Sequence, residues 1–265
     1  MSVDPLNSFS FDSTGVAIIR NAVSPYKVQE ASVLLKENWP KGTPWKFPVL
    51  HLGRVFWEFM THPDLLDLSE HFAGEHFRMD HAFGVSSNGA IAQLHGGPQS
   101  SQYSCFYQTL PSGERIGLAG QLNFGFTLDG QSPASGGFCY IPGSHKSADP
   151  RAGKEILAEV YNNRFDHPSI VVPTLHPGDM MLFTEGLIHG DTGWRSKMSQ
   201  RTQIYYKMTP GFMCWRDSAQ SEHLKQYAET PLERRMIEPP WTGRYSEDNV
   251  SMGFNNERRL PTRQT

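Results

Sequence analysis

The chain has 265 residues, 38% hydrophobic and 12% aromatic, with 24 Lys+Arg against 27 Asp+Glu for a formal net charge of -3. That is enough apolar material for a packed core, which excludes global disorder, and the charge balance leaves no footprint for a nucleic-acid polymer or an anionic membrane. No apolar run approaches the roughly 18 residues of a membrane span, and the opening MSVDPLNSFSFDS is too polar and acidic for a signal peptide. Cys105, Cys139 and Cys214 are widely spaced and odd in number. They read as reduced cysteines of a cytoplasmic protein, not as a disulfide frame or a zinc site.

The first element in chain order is a short strand from Gly15 to Arg20, with Val16, Ile18 and Ile19 as its apolar signal. Ser24-Pro25 then supplies an N-cap and a first-turn proline, and Val28, Ala31, Leu34 and Leu35 follow at helical spacing to about Trp39. A second helix is expected after Pro63, through Leu65, Leu66, Leu68 and Phe72, ending at Gly74. From about residue 77 to 212 the texture changes to short β segments separated by Gly, Pro, Ser and Asn. The expected strands are Phe77–Val85, Ala90–His95, Leu118–Leu128, Gly137–Ile141, Ile170–Thr174, Met180–Thr184 and Thr202–Thr209. Beyond Trp215 the sequence returns to helix, over Gln220–Glu229 and Leu232–Ile237. With no repeat and no linker, residues 1–265 read as one domain, a β sandwich or barrel core with helical flanks at both ends.

Among eleven histidines, two stand where a strand meets a loop. His95 ends Ala90-Ile91-Ala92-Gln93-Leu94 and runs into Gly96-Gly97-Pro98; His189 follows Met180–Thr184, itself launched by the turn His176-Pro177-Gly178-Asp179. Arg201 opens the last strand, where a guanidinium is well placed to fork onto a carboxylate.

Gly136-Gly137-Phe138-Cys139-Tyr140-Ile141-Pro142-Gly143-Ser144-His145-Lys146, then Pro177-Gly178-Asp179 with His189 and Arg201, resembles the phytanoyl-CoA dioxygenase family of iron and 2-oxoglutarate enzymes. The resemblance covers roughly residues 10 to 215 and implies a double-stranded β-helix (jelly roll). It implies iron ligands at His95 and His189, with Arg201 on the distal carboxylate of 2-oxoglutarate, and leaves His145 in a structural turn. The family pattern places a carboxylate two residues after its first histidine; this chain has Gly97 there. Related enzymes that halogenate carry Gly or Ala at that place, with chloride or bromide in the gap. By this likeness the expected activity is a radical halogenase using Fe(II), 2-oxoglutarate, O2 and chloride or bromide on an unactivated C–H bond of a free small molecule, such as a nucleotide or a natural-product precursor. A hydroxylase of the same family is the alternative, with Glu185, Asp191 or the pair Asp80-His81 at hand to supply an oxygen ligand. A non-catalytic binding jelly roll is a third reading.

Further candidates follow from strand faces and loops. Gln93, Asn123 and Gln203 share faces with site positions and are candidates for the cosubstrate. Tyr103, Phe106 and Tyr107 lie between the first ligand and the next long strand, where a lid is expected, and Trp194 follows the distal histidine as a substrate candidate.

Overall fold

Segments in which one side-chain set alternates with another build the centre of the molecule. The computed structural model describes residues 3–39, 46–87, 92–97, 106–109, 115–118, 120–146, 155–160, 167–194, 201–215 and 219–240, and its fold is a jelly roll. A six-stranded antiparallel sheet runs in the order β1 (Val16–Ile19), β9 (Met180–Thr184), β7 (Leu122–Thr127), β11 (Arg201–Thr209), β3 (Arg78–Ser87) and β2 (Lys46–Phe47). Facing it is a three-stranded sheet of β4 (Ala92–His95), β10 (His189–Trp194) and β8 (Gly136–Tyr140), and β5 (Phe106–Thr109) pairs with β6 (Arg115–Leu118).

Alternation gives the large sheet two unlike faces. Phe124, Phe126, Leu182, Ile204, Tyr206 and Met208 join the core built with helices α2 (Pro25–Asn38), α3 (Arg54–Met60) and α4 (Pro63–Ala73). Their neighbours Phe83, Met181, Phe183 and Tyr205 turn the other way and pack with Phe138 and Tyr140 of the small sheet. The register keeps this inner face aligned: Gln203, Tyr205 and Lys207 stand opposite Thr127, Gly125 and Asn123 on one side and Val85, Phe83 and His81 on the other. Gly125 is required there, because a Cβ would come within 2.8 Å of Tyr205 Cε1.

Helix α2 begins as its sequence indicates, with the Ser24 side chain accepting from Lys27 N and Pro25 in the first turn. Helix α1 (Pro5–Thr14) carries the same kind of start, Asp4 accepting from Leu6 N ahead of Pro5 with a left-handed Gly15 at its end, whereas α3 has no side-chain cap. The first buries only Phe11, while the second is buried on five of its seven residues, so neither shows a clean helical stripe. Other expectations shift. Arg115–Leu118 separates from β7, Ile170–Thr174 contributes only a bridge between Val171 and Tyr140, and His189 opens a strand rather than sitting in a loop. The tail divides into a helix Ala219–Leu224, a 3-10 turn Lys225–Tyr227 and a helix Pro231–Met236 with a Thr230/Glu233 capping box. Among the described residues no helix is long and apolar enough to cross a membrane.

The turn before β9 is held by one buried carboxylate. Asp179 accepts from Arg20 Nη1 at 2.6 Å, Asn21 N at 3.0 Å and His176 N at 2.9 Å. Burial opposes its charge, but the two backbone amides and Arg20 outweigh that and hold its pKa below the ordinary value. A depressed folded-state pKa stabilises above the unfolded value, and the contribution is lost as pH falls through the folded one. Asp179→Asn should therefore cost about 2 kcal/mol near neutrality. Urea unfolding of both proteins should show that difference shrinking as pH drops below about 4.

Candidate metal and cosubstrate site

Three side chains converge where the two sheets meet. His95 ends β4 and His189 begins β10; the two residues face each other in register, with ring centroids 4.2 Å apart. Glu185 continues the inward series Met181 and Phe183 one step beyond β9, its amide donating to Gln121 O at 3.0 Å. One ligand atom from each of His95, Glu185 and His189 lies within 4.8 Å of the others, and His95 Nε2 stands 3.6 Å from Glu185 Oε1.

The two glycines after His95 explain how β4 reaches this turn. Both have positive φ, +86° and +76°. A Cβ on Gly96 would sit 2.1 Å from Leu187 O and 2.8 Å from Glu185 O, and Gly97 N donates to Gly186 O at 2.8 Å. The direction a side chain at 97 would take is filled by Ile188, whose Cγ1 would lie 2.6 Å from a Cβ. His-Gly-Gly is thus a backbone-approach motif: without side chains, the strand end docks on the segment that carries Glu185.

The electrostatics suit a divalent ion. Burial drives the His189 pKa down to about 3, with the Glu185 charge opposing, so the ring is neutral at physiological pH. Its Nδ1 donates to Leu187 O at 2.8 Å, which leaves the Nε2 lone pair for a ligand. Burial raises the Glu185 pKa, yet the Lys207 ammonium, with His95 and His189, carries it well below the ordinary value. Glu185 Oε2 accepts from Lys207 Nζ and from Asn123 Nδ2, the latter at 2.8 Å. Two imidazoles and one carboxylate on a face are the donor set of non-haem ferrous sites, and the residues fit such an ion.

Farther along β11 lies a second polar cluster. Arg201 Nη2 meets Asp191 Oδ2 at 2.5 Å, and its Nη1 donates to Gln131 Oε1 at 2.7 Å and Gln203 Oε1 at 3.0 Å. Gln131 is itself fixed by Phe138 and Pro173, and Tyr205 OH also donates to Gln203 Oε1. Arg201 Nε, Gln203 Nε2 and Thr127 Oγ1 are buried with no hydrogen-bond partner among the described residues. Gln203 and Thr127 are register partners across β11 and β7. Unsatisfied donors grouped on one inner face are what an anionic ligand would complete, so the cluster fits the carboxylate of a 2-oxo acid.

The structure brings together His95, His189 and Glu185, joins Asn123 to the carboxylate of that group, and puts Arg201 beside Gln203. Asp80 and His81 pair with each other at 2.6 Å on β3, apart from the three-residue cluster. Phe106 and Tyr107 lie on β5, and Trp194 ends β10 opposite Gly136. Gln93 is placed on β4, while Tyr103 falls outside the described residues. Sequence reasoning did not find Lys207. Its signal was there: Arg201, Gln203, Tyr205 and Lys207 alternate along one strand, so a lysine had to face inward.

The model of the family "Phytanoyl-CoA dioxygenase (PhyH)" matches residues 46–202, more than half of the sequence. The chain belongs to the phytanoyl-CoA dioxygenase family. As a member of the PhyH group it is placed among Fe/2-oxoglutarate-dependent oxygenases, and solved structures share its jelly roll. HygX from Streptomyces hygroscopicus, solved with nickel and 2-oxoglutarate, superposes with a TM-score of 0.66 at 20% identity, covering 81% of this chain and 90% of HygX. EctD from S. alaskensis with bound Fe gives 0.58 at 19% identity, covering 79% and 77%. SnoN, an alpha-ketoglutarate-dependent epimerase from nogalamycin biosynthesis, gives 0.56 at 16% identity, covering 79% and 85%. No curated sequence matches the chain.

Proposed function

We propose that this PhyH-family protein is an Fe(II)- and 2-oxoglutarate-dependent oxygenase that hydroxylates a small molecule, with His95, Glu185 and His189 as the protein ligands of the metal. The observation that carries the reading is the Glu185 carboxylate beside the two imidazoles. Halogenation, the activity that Gly97 suggests by likeness, needs an open position and a halide to replace both a donor and a charge. Glu185 offers that donor and that charge from another element, and Ile188 fills the space next to Gly97. Both facts support oxygen transfer over halide transfer.

When bound, ferrous ion with 2-oxoglutarate would activate dioxygen, the oxidant, one oxygen atom of which would go into the succinate formed with CO2 and the other into the C–H bond as a hydroxyl group. The chain's own residues bind and orient. His189 enters as a neutral donor with its ring fixed by Leu187 O. Arg201, held by Gln131 and Asp191, presents its remaining Nε–H together with the Gln203 amide to the distal carboxylate. Phe138, Phe183 and Tyr205 pack in one buried apolar cluster on the His189 side of the site, with the Phe183 and Phe138 ring centroids 4.7 and 6.0 Å from that imidazole. HygX has been solved with hygromycin B and EctD with 5-hydroxyectoine, and a small polar molecule is the substrate class we propose here.

The test is an anaerobic titration with Fe(II) and 2-oxoglutarate, which should produce a weak visible charge-transfer band. His95→Ala and His189→Ala should each abolish it. Millimolar chloride or bromide should leave the wild-type band unmoved. A halide-induced shift, or bromine found on the metal by anomalous scattering, would overturn the hydroxylase reading in favour of the halogenase.

A further inference from the structure

The Glu185 carboxylate is bonded unequally. Oε2 accepts from both Lys207 Nζ and Asn123 Nδ2, whereas Oε1 is the oxygen turned toward His95. A carboxylate oxygen carries two in-plane lone pairs. Two N–H donors, one of them charged, occupy both pairs on Oε2 and leave Oε1 as the oxygen available to an ion. The donors come from adjacent strands: Lys207 on β11 and Asn123 on β7 are register partners, and Glu185 lies just beyond β9, the next strand over. Among the described residues, Asn123 Nδ2 and Lys207 Nζ both end on this same atom.

We infer that Lys207, assisted by Asn123, is a positioning residue that keeps Glu185 monodentate on the metal; this rests on the ligand role proposed for Glu185. The reason is coordination arithmetic. A six-coordinate ion with two imidazoles and one carboxylate oxygen keeps three positions, two for a 2-oxo acid chelate and one for a further ligand. A bidentate Glu185 would consume one of them. Lys207 therefore sets the number of open positions through a charge-assisted bond to the atom that does not ligate. It also neutralises the buried carboxylate before any ion arrives, so the empty site holds no uncompensated charge at Glu185.

Co(II) and 2-oxoglutarate serve as the probes, with full-length protein. In Lys207→Met, Oε2 is released to the metal. Co(II) should bind at least as tightly as in wild type, because a nearby cation is gone, and its visible d–d spectrum should change. The 2-oxoglutarate affinity of the Co(II) form should fall by about tenfold or more, on the scale of disrupted outer-shell contacts. Lys207→Arg, which keeps a cationic donor, should restore both. Should Lys207→Met not fold, Asn123→Leu removes one donor without unpairing a charge and should shift the spectrum and the 2-oxoglutarate affinity in the same direction. A wild-type spectrum and wild-type 2-oxoglutarate affinity in these variants would overturn the inference. So would parallel loss of Co(II) and 2-oxoglutarate binding, which is the mark of a merely structural lysine. Glu185→Gln separates the two levels: if it binds Co(II) with wild-type affinity and spectrum, the ligand assignment itself fails.

Discussion

Replacing Glu185 with alanine should lower divalent-metal affinity by more than about 100-fold, beyond the range expected for loss of an outer-shell partner alone. The variant removes a donor and leaves Lys207, only 13% exposed, without its anion. The first effect removes a bond to an incoming dication and the second repels it. Glu185→Asp should sit between alanine and wild type: the charge survives, but the carboxylate is shortened by a methylene and can no longer satisfy Lys207, Asn123 and the metal together. Isothermal titration with Co(II), repeated on Asp191→Asn as a control, checks the assignment. Asp191 lies two residues beyond His189, yet it is bonded to Arg201. If Asp191→Asn loses metal and Glu185→Ala does not, the ligand set must be redrawn around Asp191.

Loss of Arg201 should damage two properties at once. The Arg201–Asp191 pair is buried on both sides, with side-chain exposures of 3% and 10%. Removing one member of such a pair costs about 3–5 kcal/mol, because the other charge is stranded. Arg201→Ala should accordingly unfold at markedly lower denaturant concentration and should also need far more 2-oxoglutarate to develop the charge-transfer band. The two effects separate in a double variant. Arg201→Leu combined with Asp191→Leu removes both charges and should regain much of the stability, while 2-oxoglutarate binding stays impaired. Arg201→Lys keeps the charge but loses the Nε–H and the planar group that Gln131 and Asp191 hold in place, and should also bind the cosubstrate poorly. Denaturation curves and metal-dependent titrations on the three variants check both statements, and recovered cosubstrate binding in the double variant would remove Arg201 from that role.

The parts of this molecule legible in its sequence were those where the signal is local. Ser24-Pro25 marks a helix start, Met180–Thr184 an inner strand, and the alternation of β7 a two-faced one; each matches the structure closely. His95, His189 and Arg201 stand out in the sequence because each sits at a strand end. Glu185 was seen only as one of several acidic neighbours. Its approach to His95 depends on a contact between residues 96–97 and 185–188, about ninety positions apart, which no periodicity reports. The same contact changes how Gly97 reads. In sequence it is a missing carboxylate; in space it is a backbone surface on which another loop rests. Helix α3 was missed for the opposite reason, since Val55, Phe56, Trp57, Phe59 and Met60 are all buried and leave no polar face to set the period.

Strand β11 carries Arg201 near one end and Lys207 near the other, with Gln203 and Tyr205 between them on the same face. Six residues at roughly 3.3 Å each make a ruler of about 20 Å, graduated at every second residue. One mark holds the anchor for a carboxylate, the other the cation that steers a metal ligand. The reverse side of the same ruler, Ile204, Tyr206 and Met208, is sunk in the helical core. Adding or deleting a single residue between 201 and 207 would turn one mark into that core and drag a core residue into the site. The strand can therefore exchange side chains at its marks, and with them its chemistry, but it cannot change its length.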